Sequence, residues 1–239
     1  MGLFEATMKH ETSISRNLEK VRERIAEACL RSGRDPQEVR LLAVSKTVGC
    51  ERIREALQCG QRLFGENYVQ EALPKIHELG AGIEWHFIGH LQSNKAKHVV
   101  GNFQMVQTLD RFSLARELDR RAPEGQPLRV LIQVNVAGEQ SKSGIAPEDL
   151  EALLEQVAEL KAIRICGLMT IPPMSSDPEQ ARPYFRKLSQ LRERYSRQLA
   201  SPHCLDELSM GMTGDLEVAV EEGATIVRVG TAIFGPREA

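Results

Sequence analysis

The feature that most constrains this chain is an alternation. Eight short apolar or β-branched runs recur, most of them followed by a stretch with helical spacing: "LLAVSK" (41–46), "RLFGEN" (62–67), "WHFIG" (85–89), "MVQTLD" (105–110), "VLIQVNV" (130–136), "ICGLMTI" (165–171), "ELSMGM" (207–212) and "TIVRVGT" (225–231). Runs of that length separated by helical patterns predict parallel strands joined by crossover helices. Eight repeats in 239 residues fit a closed (β/α)8 barrel. An open doubly wound sheet usually carries fewer strands and a glycine-rich first turn, which this chain lacks. The expectation is one α/β domain over 1–239, with a barrel over 41–235 and an N-terminal helical segment over 1–40.

Helix signals fill the gaps. Ile14, Leu18, Val21, Ile25 and Cys29 share one face of a helix expected over about Ser13–Ser32, which Gly33 is placed to stop. "APEDLEALLEQVAEL" puts Pro147 in a first turn ahead of Leu150, Leu153, Leu154 and Val157. "DPEQARPYFRKLSQLRERY" opens with a cap signal at Asp177, and Pro183 predicts a kink or a delayed start.

Bulk properties exclude several classes. Thirty-one basic and 33 acidic residues leave a net charge of −2, so no electrostatic footprint for nucleic acid or an anionic membrane is expected. No run is long enough to span a bilayer, and "MGLFEATMKHE" lacks the pattern of a secretion signal. Five scattered cysteines without a C-x-x-C pair read as free thiols in a reducing cytoplasm.

Candidate chemistry clusters where a barrel carries its sites, at the C-terminal strand ends. Lys46 ends the first run on the face of Leu42 and Val44. It reads either as a snorkelling surface amine or as a nucleophile made available by partial desolvation. "SMGMTGD" (209–215) and "RVGTAIFG" (228–235) combine glycines with hydroxyls, either as tight turns or as a phosphate cradle after strands seven and eight. Arg228, between Val227 and Val229, needs a partner if buried: a carboxylate, or an acceptor atom of a ligand. Amine, phosphate cradle and guanidinium together suit pyridoxal 5′-phosphate (PLP), which offers an aldehyde, a phosphate and a ring nitrogen.

Seven blocks in order, "LLAVSKT", "FGENYVQEALPK", "EWHFIGHLQSNK", "QVNVAGEQSKSG", "GLMTIPP", "LSMGMTGD" and "TIVRVGTAIFG", resemble the pyridoxal phosphate homeostasis protein family (the YggS/PROSC family). The resemblance implies a single TIM barrel of the alanine racemase N-terminal type, with an extra N-terminal helix. It implies that Lys46 forms a Schiff base with PLP and that Asn67 flanks the cofactor. It further implies that Ser209, Gly211, Thr213, Gly230 and Thr231 build the phosphate site and that Arg228 faces the pyridine nitrogen. Members bind PLP and are thought to buffer or deliver it, with apo PLP-dependent enzymes as transient partners. Two departures stand out: "TVGC" replaces a second lysine and a proline after Lys46, and Thr213 replaces serine.

A non-catalytic carrier is therefore expected, with a weak PLP-dependent amino-acid racemase as the alternative. An arginine at the ring nitrogen keeps it unprotonated and weakens the electron sink. Racemisation also wants two opposed acid–base groups, and only "PREA" follows the last block, so the racemase's second domain and its dimer are not expected; a monomer is. Lys142 reads as a solvated loop lysine, with a second aldehyde site as the alternative. His86 and His90 are not expected to hold a metal; His86 packs or hydrogen-bonds in the barrel. Glu66 reads as a base, or as the partner of Arg228 or of a lysine. Trp85 and Met169 read as core.

Overall fold

In the computed structural model the described residues are 13–123, 125–139 and 142–236. The strands are β1 (Arg40–Val44), β2 (Leu63–Glu66), β3 (Glu84–Phe87), β4 (Met105–Leu109), β5 (Leu128–Gln133), β6 (Ile163–Met169), β7 (Glu207–Ser209) and β8 (Ile226–Val229). They pair in parallel, each with the next, and β8 closes on β1 with Leu42 beside Arg228. The helices are α1 (Ser13–Arg31), α2 (Cys50–Gln58), α3 (Val69–Leu79), α4 (Ala96–Val99), α5 (Phe112–Asp119), α6 (Leu150–Ala158), α7 (Arg182–Ser196), α8 (Leu216–Glu221) and α9 (Thr231–Phe234).

All eight expected runs carry a strand, but several strands stop early. β1 ends at Val44, so Lys46 is not its last residue but lies in the turn beyond it. β7 ends at Ser209 and β5 at Gln133, while Met210, Val134 and Val136 stay buried in the loops that follow. Pro183 causes no kink. A 3-10 turn over Pro178–Ala181 precedes α7, so the proline falls in the first turn, where no intrahelical N–H is needed.

Inside the barrel, side chains stack in layers drawn from alternate strands. The base layer is ionic. Arg40 on β1 pairs with Glu84 on β3 (3.3 Å) and Glu207 on β7 (3.1 Å), and Arg129 on β5 lies 3.5 Å and 3.6 Å from the same two carboxylates. Above it sit Leu42, Leu63, Met105, Leu131, Cys166 and Ile226. Trp85 and Met169 are buried, as their sequence context suggests.

His86, donating to Glu84 with Arg40 and Arg129 beside it, outweighs burial and lowers the Glu84 carboxyl from 4.5 to about 2. A carboxyl depressed on folding stabilises the protein above its unfolded pKa, and that share disappears as pH falls through the folded one. Urea midpoints are therefore expected to drop between about pH 4.5 and about pH 2, and Glu84→Gln to flatten part of that slope.

Helix α1 buries the stripe its spacing predicts and also reaches the loops at the barrel mouth. Asn17 donates to the Ile233 carbonyl on α9 (2.9 Å). Arg24 grips Glu217 on α8 and donates to the Thr213 carbonyl (2.9 Å). The N-terminal helix thus fixes both loops that carry the glycine and hydroxyl candidates.

Candidate functional site

A cavity of about 420 Å³ opens at the C-terminal strand ends. Lys46, Asn67, Thr213, Arg228, Gly230 and Thr231 line it, converging from the ends of β1, β2, β7 and β8. Lys46 and Thr231 also line a smaller cavity of about 220 Å³ beside it, under α2 and α9. Ser209 and Gly211 do not line the main cavity. Ser209 is fully buried with its hydroxyl between Arg228 and Gln107. Gly211, at φ 90°, lets α8 pack close: a Cβ there would sit 2.5 Å from that of Ala219.

The turn that presents Lys46 is clamped from two elements, β2 and α3. Thr47 has φ 63°, a left-handed conformation that is costly for a β-branched residue, and its N–H donates to the Glu71 carboxylate. Lys75 donates to the Ser45 carbonyl (2.8 Å), Glu66 Oε1 (2.9 Å) and Glu71 Oε1 (2.7 Å). The Ser45 hydroxyl also donates to Glu66 Oε1 (2.6 Å). Of the readings open for Glu66, the lysine pairing holds: its partner is Lys75. Burial pushes the Glu66 carboxyl up, while Ser45 and Lys75 pull it back. Nothing beyond the i,i+4 spacing of Glu71 and Lys75 on α3 signals this clamp in the sequence.

Removing one member of a buried ion pair leaves an uncompensated charge. Lys75→Met is expected to destabilise the fold by about 3–5 kcal/mol. The double variant Glu66→Gln/Lys75→Met should recover much of that loss in denaturant unfolding.

Arg228 is buried, and its contacts are neutral oxygens. Nη1 donates to Ser209 Oγ (2.7 Å) and Nη2 to the Thr170 carbonyl (2.8 Å). Burial lowers its pKa to about 10, well below the usual guanidinium range, and the charge of Asp215 only partly opposes this. Asp215 itself caps the loop, accepting the Met212 N–H (2.6 Å). The loop end that the sequence offers to an anion is therefore partly taken by a carboxylate. Asp177, also on the wall, likewise accepts a backbone N–H, from Glu179. Asn67 Oδ1 is buried and accepts no hydrogen bond among the described residues. Gly89 keeps the Asn67 backbone in place, since a Cβ there would fall 2.0 Å from the Asn67 carbonyl oxygen.

Lys142 is not simply solvated. It donates to the Pro172 carbonyl (3.0 Å), pairs with Glu139 (3.1 Å) and borders a separate cavity of about 220 Å³. His86 is buried and hydrogen-bonded to Glu84 and Gln107, and His90 faces Ser143 (3.2 Å).

The family model "Alanine racemase, N-terminal domain" matches residues 12–238, which sets the class as an alanine racemase-type barrel. The chain is 50% identical to the pyridoxal phosphate homeostasis protein of Aquifex aeolicus, over 92% of this chain and 97% of that protein. It is 48% identical to the same-named protein of Escherichia coli K12, over 94% and 97%. The chain belongs to the pyridoxal phosphate homeostasis protein family. Among solved structures, PipY of Synechococcus elongatus with PLP bound superposes with a TM-score of 0.78 at 41% identity, covering 90% of this chain and 100% of that one. Alanine racemase of Corynebacterium glutamicum shares the fold alone, with a TM-score of 0.67 at 16% identity over 95% of this chain and 62% of that one.

Proposed function

We propose that the cavity holds PLP and that the protein buffers this cofactor and hands it on, without turning over a substrate. The observation that carries the reading is Arg228: a buried guanidinium whose own contacts are neutral oxygens, on the wall of a cavity that Lys46 also lines. Such a cation calls for an acceptor from a ligand. The orphaned Asn67 Oδ1 asks for a donor at the same wall. Two relatives named for PLP homeostasis and one solved with PLP support the choice.

When bound, PLP supplies an aldehyde that condenses reversibly with a primary amine. Lys46 presents that amine from its clamped turn. Arg228 would donate to the ring nitrogen and, being charged at neutral pH, would keep it unprotonated. Thr213, Gly230 and Thr231 receive the phosphate with hydroxyls and backbone N–H groups, beside the first turn of α9. Ser209 and Gly211 act one step back, holding Arg228 and α8. Ile171 and Met174 line the cavity and are exposed, Met174 by 96%, which leaves an apolar rim for brief contact with an apo-enzyme.

Delivery is tested by mixing the PLP-loaded protein with an apo-enzyme that needs PLP. Carriage requires reactivation faster than PLP escapes into buffer alone; equal rates would reduce the protein to a passive store. The same geometry argues against racemisation, because the two carboxylates on the wall, Asp177 and Asp215, are engaged as backbone caps. An L-amino acid deuterated at the α-carbon is expected to keep its label when incubated with the loaded protein, as followed by NMR.

A further inference from the structure

A column of buried polar side chains crosses the barrel between the cavity and the ionic base. Arg228 Nη1 donates to Ser209 Oγ (2.7 Å), and Ser209 Oγ donates to Gln107 Oε1 (2.6 Å). Gln107 Nε2 meets His86 Nδ1 (2.8 Å), and His86 Nε2 meets Glu84 Oε1 (2.8 Å). Ser209, Gln107 and His86 are fully buried, and each comes from a different strand. Glu84 belongs to the base ring with Arg40 and Arg129.

With a neutral imidazole, the two ends settle the direction of every bond between them. A guanidinium only donates, and an ionised carboxylate only accepts. Ser209 accepts from Arg228 and donates its own proton to Gln107 Oε1. The Gln107 amide then turns its NH₂ toward His86, whose Nδ1 must accept. The imidazole proton is left on Nε2, facing Glu84. Turning any one member around would set donor against donor or acceptor against acceptor. Burial holds His86 in the neutral form that this chain of bonds needs.

We infer that Glu84, His86 and Gln107 are positioning residues that act through Ser209 to orient the Arg228 guanidinium from the opposite end of the barrel. The aligned dipoles each turn their negative end toward Arg228 and polarise one another. They stabilise the cation without putting a carboxylate in hydrogen-bond contact with it; Asp215 acts on it only through its charge. A carboxylate directly beside Arg228 would cancel the field that a ligand acceptor feels. With Nη1 and Nη2 engaged by Ser209 and Thr170, the plane of the guanidinium is fixed and further N–H donors remain for a ligand. The consequence for a ring nitrogen rests on the PLP reading above; the column itself does not.

The test is nitrogen NMR of the histidine rings in the ligand-free full-length protein. Wild-type His86 is expected to be neutral at pH 7 with its proton on Nε2. A proton on Nδ1, or a charged ring, overturns the column. Gln107→Glu puts an acceptor-only group where the amide donates, so His86 is expected to become imidazolium; a ring that stays neutral also overturns it. In the loaded protein, that variant should weaken PLP binding about tenfold, the scale of one charged hydrogen bond. Borohydride should still trap PLP on Lys46. If Gln107→Glu does not fold, the wild-type tautomer decides alone. A wild type that shows the expected tautomer yet binds no PLP supports the column and overturns the PLP reading. PLP binding with the other tautomer does the reverse.

Discussion

Lys46→Ala is expected to abolish covalent capture of PLP. Wild-type protein mixed with PLP and reduced with borohydride should gain one phosphopyridoxyl group, the cofactor less the water lost on condensation plus the two hydrogens of reduction, mapped to the peptide carrying Lys46; the variant should gain none. The effect is all or none because it removes the nucleophile, not one contact among several. Lys75 is buried with all three ammonium hydrogens committed to Ser45, Glu66 and Glu71, so it offers no substitute. Lys142 is held by Pro172 and Glu139 beside a different cavity, so Lys142→Ala should keep the adduct. A Lys46→Ala protein that still gives a reduced adduct in the cavity would remove Lys46 from its role. Loss of folding would not imitate the result, because Lys46 lies in a turn beyond β1 and the clamp acts through the Ser45 hydroxyl and the backbone of Ser45 and Thr47.

Much of the barrel is legible in the sequence because burial on both faces of a parallel strand writes an apolar run. The ends are less legible. "LLAVSK" and "ELSMGM" read on past Val44 and Ser209 because the loops beyond them are also buried, as Ser45 and Met210 show. The cavity was readable wherever one short segment carries its own chemistry: Lys46, Thr213, Arg228, Gly230 and Thr231 meet on one wall system, and Asn67, which only the family resemblance offered, joins them. Ser209 and Gly211 sit in the same motif but miss the cavity wall: Ser209 lies inside the barrel against Arg228 and Gln107, and Gly211 packs against α8. The supports were not readable. Arg40, Glu84, Arg129 and Glu207 look like four ordinary charges at strand starts until closure brings them together. Gln107 likewise meets His86 and Ser209 only across the barrel.

Arg228→Met is expected to separate stability from binding. Desolvating an ion costs several kcal/mol even after relaxation. The lowered pKa of Arg228, about 10 with burial as its main cause, shows that cost in this protein. A basic group depressed by folding is destabilising wherever it stays charged, and the penalty eases only as pH rises through its folded pKa. At neutral pH Arg228 is charged and the cost is in force. Methionine of similar length removes the charge, leaving the Thr170 carbonyl without this donor, at about 1–3 kcal/mol. The ligand-free variant should therefore melt no lower than wild type. Binding should suffer in the other direction: losing one partner of a buried, charge-assisted hydrogen bond costs about 2–5 kcal/mol, or roughly 30-fold to several thousandfold in PLP affinity. Thermal unfolding with and without PLP reads both at once. Wild type should gain a large shift on loading and the variant little. A variant that melts well below wild type when empty, yet gains the full shift with PLP, would mean that the guanidinium holds the fold and not the ligand.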